Sequence, residues 1–255
     1  MKTGLKFDKF VLFGDSITEY AYDQSNGFAL GPALQSVYAR KLDIVQRGFR
    51  GYNSDHAVEM VGDIIANENA GAGKVKLMYV FFGSNDASAL PSPQHVPKER
   101  YQANLRKIVA AIRAADIKPI IVGPGAFNIH QWKVGRPWAV EQRTQALARE
   151  YSYAARDVAA ELSVPFIGLW DLLMASVGWR EGEPIMGDIA VAEDAPLAAV
   201  LTDGLHYNGA AYKVFYDAVL ATIKESYPEL HYDNLETHLP HFDQLTTIDV
   251  LKQAL

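Results

Sequence analysis

The chain has 255 residues, 49% of them hydrophobic and 21% charged, with 19 Gly, 12 Pro and no Cys. A chain of this length buries roughly three quarters of the surface its unfolded form exposes, so a single domain spanning residues 1–255 is expected to hold its core without disulfide or metal staples. The missing cysteines exclude disulfide frameworks, thiolate zinc sites, iron–sulfur clusters and a cysteine nucleophile, and a formal charge of −6 argues against a nucleic-acid partner.

In chain order, five short apolar runs rich in Val, Ile and Phe predict strands at Lys9–Phe13, Asp43–Gln46, Lys76–Phe82, Lys118–Val122 and Pro165–Leu169. Longer amphipathic stretches separate them, the pattern of βαβ units and a parallel sheet. Phe10–Phe13, preceded by Asp8 and Lys9, is too short for the core of a secretory signal. Leu77–Phe82 is far below the roughly 20 apolar residues of a membrane helix. A soluble, cytoplasmic protein with no membrane span is expected. One helix carries Tyr101, Leu105, Ile108, Val109 and Ile112 on one stripe, and the last carries Tyr212, Phe215, Tyr216, Val219 and Ile223. Residues 126–140 and 178–200 break the alternation and are expected to wall a pocket. From about residue 228 a tail of weak periodicity is expected to pack on the body, cover the site or join a partner subunit.

Four polar clusters follow these elements. The first strand runs into Gly14-Asp15-Ser16, where a serine at a strand's carboxyl end is either a helix cap or a nucleophile. Asp203-Gly204-Leu205-His206 is either a turn with a surface histidine or a pair in which Asp203 holds Nδ1 and leaves Nε2 as a general base. Gly83-Ser84-Asn85-Asp86 is either a turn and cap or a carboxamide aimed at an oxyanion. In Arg47–Asn53 a glycine serves turn geometry or brings a backbone N–H to a ligand, and Gly48 and Gly51 both qualify. Each cluster has a bland reading alone, but all four fall on one edge of one sheet.

With the four blocks in this order, the sequence resembles the SGNH (GDSL-type) hydrolases. The resemblance implies Ser16 as nucleophile, Asp203 and His206 as its partners, and an oxyanion hole from the Ser16 and Gly51 N–H groups and the Asn85 side chain. It also implies, with the handedness rule for crossovers, a three-layer α/β/α sandwich whose five-stranded parallel sheet has the flavodoxin-like order 2-1-3-4-5. The segments FVLFGDSITEYAYDQ, DIVQRGFRGYNS, PIIVGPG and LTDGLHYNGAAYKVFYD resemble the isoamyl acetate-hydrolysing esterase branch through about Tyr227. That implies short-chain acyl esters, acetates above all, as small-molecule substrates, with no cofactor and no metal; a homodimer through the tail or residues 178–200 is a further expectation.

Other readings are weaker. An α/β-hydrolase would carry G-x-S-x-G on a later strand. Gly71-Ala72-Gly73-Lys74 precedes a strand where a phosphate loop should follow one. His231, His238 and His241 are interrupted by Pro240 and form no complete metal-ligand set. Within the family the alternatives are a carbohydrate O-acetyl esterase, with Trp132, Trp138 or Trp179 either stacking on sugar or anchoring loops, and a lysophospholipase or thioesterase that would serve lipid degradation. A flavodoxin-like binding protein without catalysis is the remote alternative.

Overall fold

The protein is described here by a computed structural model covering residues 5–134, 136, 142–192 and 195–254. Trp138 lies outside the described residues.

Five parallel strands form one sheet in the order β2-β1-β3-β4-β5, the topology the sequence implied. They are β1 (Asp8–Gly14), β2 (Leu42–Gly48), β3 (Val75–Phe81), β4 (Lys118–Gly123) and β5 (Phe166–Gly168). The last is shorter than its apolar run, because Leu169 already opens a helix with Trp170 buried beneath it. Successive side chains alternate between the two faces, which is why the strands read as continuous apolar runs. Phe10, Leu12, Tyr79, Phe81 and Val122 pack on one side, against α2 (Leu30–Val37), α7 (Leu169–Ser176) and α9 (Gly209–Ser226). Val11, Phe13, Met78, Val80 and Ile121 pack on the other, against α3 (Ser54–Glu68), α4 (Lys98–Ala114) and α6 (Gln145–Leu162). The Tyr101 and Tyr212 stripes are buried on α4 and α9, except that Tyr216 sits at the core's rim.

The crossover from β2 passes over β1 to reach β3, so the strand order reverses between β1 and β3, and ligands of open α/β sheets bind outside the carboxyl ends of the strands at such a point. β1 leads there into α1 (Ser16–Glu19), and β3 into residues 82–86. Residues 126–140 hold α5 (Ile129–Trp132), and residues 178–200 hold α8 (Ala195–Ala198); the Ile129 N–H donates to Gly187 O, so the second segment backs the first. Trp179 is a packing anchor, edge-on to Trp170 with its N–H on Pro184 O. The Gly71–Lys74 turn closes α3 onto β3, with Lys74 Nζ on Asn69 O and Gly71 O.

After α9 the tail runs through residues 228–241 to α10 (Ile248–Ala254), and residues 230–240 lie along the opposite edge of the sheet. Tyr38 Oη donates to Leu230 O, Arg40 donates to His238 O and Leu239 O, and the His238 ring meets Phe7 just before β1 begins. These anchors lie at the amino ends of β1 and β2, so residues 230–240 of the tail pack on the body away from the strands' carboxyl ends. Among the described residues no helix is long and apolar enough to cross a membrane.

Candidate active site

The turn from β1 into α1 is tight. A Cβ at Gly14 would lie 2.2 Å from Thr18 Oγ1 and 2.7 Å from Phe81 O, so only glycine lets the chain turn here. Asp15 caps α1, its Oδ1 accepting from the Ile17 N–H at 2.9 Å, and Ser16 is the first helical residue. The cap and the strand-end serine are thus neighbouring residues of one turn, Asp15 capping and Ser16 following it. An N–H at the first position of a helix has no acceptor within it, so the Ser16 N–H is available at the same edge.

Ser16 Oγ lies 2.9 Å from His206 Nε2, and His206 Nδ1 lies 3.1 and 3.0 Å from Asp203 Oδ1 and Oδ2. A carboxylate on Nδ1 fixes the proton there and leaves Nε2 to accept from the serine hydroxyl. Asp203 also accepts from the Leu205 and His206 N–H groups and pairs with Arg136 at 3.1 Å. Burial works against its charge, but the His206 bonds and charge and the Leu205 N–H outweigh that and hold its pKa well below the usual carboxylate range. Arg136 in turn lies 4.1 Å above the Trp132 ring. The Asp203–His206 block leads within two residues into α9, which Asn208 caps through the Ala210 and Ala211 N–H groups.

Asn85, just past β3, is buried; its Nδ2 donates to Tyr52 O at 2.7 Å and its Oδ1 accepts from Arg143 Nη2 at 3.0 Å. One Nδ2 hydrogen remains for a further acceptor. The two candidate glycines of the second block separate clearly. A Cβ at Gly48 would lie 2.1 Å from Glu19 N, so that glycine makes room for α1 on β2. Gly51 has φ +81, and its N–H has no acceptor among the described residues. Asp86 accepts from the Ser54 N–H at 3.0 Å and so ties the end of β3 to the start of α3, while burial pushes its carboxyl up to about 6.

Beside His206 lies a cavity of about 330 Å³, lined by Tyr20, Asp23, Asn26, Thr202, Asp203 and Tyr207 among others. The Tyr20 ring meets His206 edge-on at 5.2 Å and carries the Arg50 guanidinium at 4.7 Å. Among the described residues no group of three or more His, Asp or Glu side chains is arranged to hold a metal. His231 is buried, His238 meets Phe7 and His241 caps a 3-10 turn.

Sequence reasoning missed three members of this neighbourhood. Arg143 and Gln94 contact the Asn85 and Gly51 groups, and Arg136 contacts Asp203. None sits in a block or at a strand end, and a single arginine or glutamine in an irregular segment carries no periodicity or spacing to find it by.

A switch-point serine bonded to one ring nitrogen of a histidine, whose other ring nitrogen an aspartate holds, is the arrangement of a serine hydrolase. The chain belongs to the GDSL-like Lipase/Acylhydrolase family, whose model matches residues 12–214, and it is an esterase of that family. It is 34% identical over 92% of its length to the isoamyl acetate-hydrolyzing esterase of Saccharomyces cerevisiae, of which the match covers 94%. It is 30% identical to the GDSL esterase/lipase WDL1 of Oryza sativa subsp. japonica, over 89% of this chain and 83% of that one. Among solved structures it is similar in fold to an acetylxylan esterase, Axe2 of Geobacillus stearothermophilus, with a TM-score of 0.60 and 19% identity over 85% of this chain and 94% of the other.

Proposed function

We propose that this esterase cleaves short-chain acyl esters, acetates of small alcohols foremost, with the whole chain acting as one catalytic domain. The observation that carries the reading is the bonded series Ser16 Oγ, His206 Nε2, His206 Nδ1, Asp203 at the carboxyl edge of the sheet. Ser16 Oγ attacks the ester carbonyl carbon while its proton passes to His206 Nε2, and Asp203 stabilises the imidazolium. The negative oxygen of the tetrahedral intermediate accepts from the Ser16 and Gly51 N–H groups and the free hydrogen of Asn85 Nδ2. Collapse breaks the bond to the alcohol oxygen, which takes the proton from His206 and leaves. Water, deprotonated by the same histidine, then attacks the acyl-enzyme and releases the acid and free Ser16.

The name of the yeast relative supports acetate as the acyl group. Axe2 structures are described as catalytic variants in a serine, an aspartate and a histidine, the last two spaced three apart like Asp203 and His206. The deciding experiment is hydrolysis of a p-nitrophenyl ester series, acetyl to long acyl, by wild type beside Ser16→Ala with no metal added. Acetate cleavage that fades with chain length and falls by several orders of magnitude in the variant is expected; long-chain preference would move the function toward lipids, and an active variant would remove Ser16 as nucleophile.

One observation favours a second reading. The polar lining of the cavity beside His206, with Asp23, Asn26 and Thr202, suits a hydroxylated alcohol, as in an acetylated carbohydrate. Faster release of acetate from an acetylated xylooligosaccharide than from isoamyl acetate would select it.

A further inference from the structure

We propose that Arg143 is a positioning residue that sets the polarity of the oxyanion hole, fixing both the Asn85 carboxamide and the Gly51 peptide from one buried guanidinium. The proposal rests on the reading of Asn85 and Gly51 as oxyanion donors. Arg143 is 7% exposed and enters the site from just before α6. Its Nη1 donates to Ser84 O, and its Nη2 donates to Asn85 Oδ1 at 3.0 Å and to Gln94 Oε1 at 2.9 Å.

A guanidinium has donors only, so each carboxamide must turn its oxygen toward it. For Asn85 this forces Nδ2 to the other side, where one hydrogen goes to Tyr52 O and the second is left for substrate. For Gln94 it forces Nε2 onto Gly51 O at 3.1 Å, which pins the peptide plane next to the Gly51 N–H. Gln94 is held at its other end by Asn53 Nδ2 on Gln94 O.

Without a donor-only partner, a carboxamide can rotate by half a turn and exchange oxygen for nitrogen with little change of shape. A flipped Asn85 would aim a lone pair at the developing oxyanion and turn an attraction into a repulsion. The arrangement therefore does more than fill space: it selects one of two orientations of nearly equal volume. The cation is bonded to neutral oxygens, with Asp15, Asp86 and Asp203 near enough to favour its charge and the Trp132 ring 5.4 Å from its centre. Burial pulls it down to about 10, so it stays charged throughout the neutral range.

The test is a double-mutant cycle on p-nitrophenyl acetate with Arg143→Met, Asn85→Ala and the pair, each checked for native circular dichroism. Arg143→Met is expected to lower kcat on the order of a hundredfold, the range of a lost oxyanion donor, with KM little changed. In the Asn85→Ala background the same change is expected to cost only a few fold, because the group it orients is gone. Arg143→Lys retains the charge but not the fork that reaches both carboxamides; it is expected to lose kcat likewise, and it carries the cycle if Arg143→Met does not fold. Full activity in a folded Arg143 variant, or losses that multiply in the double mutant, would overturn the proposal while leaving the mechanism intact. Full activity in Asn85→Ala would instead overturn the reading of the oxyanion hole, and the role of Arg143 with it.

Discussion

Asp15 and Ser16 are adjacent, yet one is a carboxyl buried at a helix cap and the other a hydroxyl bonded to His206 Nε2, and the helix start explains both. Asp15 Oδ1 caps α1, while Oδ2 is buried without a partner among the described residues. Burial pushes the carboxyl up to about 7 against the Ile17 N–H and the charges of His206 and Arg143. The unfolded chain releases that proton near pH 4, so the stability tied to protonated Asp15 is complete below about pH 4 and is lost as the pH rises through about 7. Asp15→Asn keeps the cap and has no charge to bury. Its stability relative to wild type, read from urea melts, should grow by a few kcal/mol between pH 4 and pH 8; a constant offset would mean that Asp15 does not titrate in that window. Asn85→Ala removes one oxyanion donor and should lower kcat about a hundred- to a thousandfold with the fold intact, measured on p-nitrophenyl acetate. The candidate site residues were legible because each falls in a short block, three at strand ends and one before the last long helix; Arg143, Gln94 and Arg136 were not, because each stands alone in an irregular segment outside those blocks.

Among the elements, glycines separate those that must be bare from those that are merely tolerated. Gly48 is where α1 crosses β2, and a methyl there meets backbone at 2.1 Å, which no rotamer change relieves. Gly62 lies on the exposed face of α3, where a methyl meets nothing within 4 Å. Gly62→Ala should therefore stabilise the protein by about 0.5–1 kcal/mol through helix propensity, and Gly48→Ala should destabilise it and displace Ser16 with α1, both read from thermal melts with activity beside them. Equal effects of the two changes would contradict the packing of α1. Strand positions were readable because burial on both faces leaves continuous apolar runs. The end of β5 was not, because Leu169 and Trp170 are as apolar as a strand yet belong to α7, and periodicity cannot part a buried strand from a buried helix over so short a run.

For the molecule as a whole, the sheet's direction separates two regions: the strands' carboxyl ends carry the candidate site and their amino ends anchor residues 230–240 of the tail. Phe242 and Ile248 are largely exposed, and α10 buries no residue. A chain ending at His241 should keep its kcat/KM on p-nitrophenyl acetate, and a large loss would place the last residues near the site after all. The parallel α/β architecture was readable from the chain alone, since alternating apolar runs and amphipathic stretches leave few other ways to bury them. The four blocks are local patterns as well, three of them tied to a strand end and the fourth to the start of the last long helix. Tertiary contacts alone set α1 against Gly48 and leave the Gly51 N–H without an acceptor among the described residues, anchor residues 230–240 at the amino ends of the strands, and turn one buried arginine toward two carboxamides at once. Those depend on which distant segments meet, and contact between residues dozens of positions apart leaves no periodic trace in a single chain.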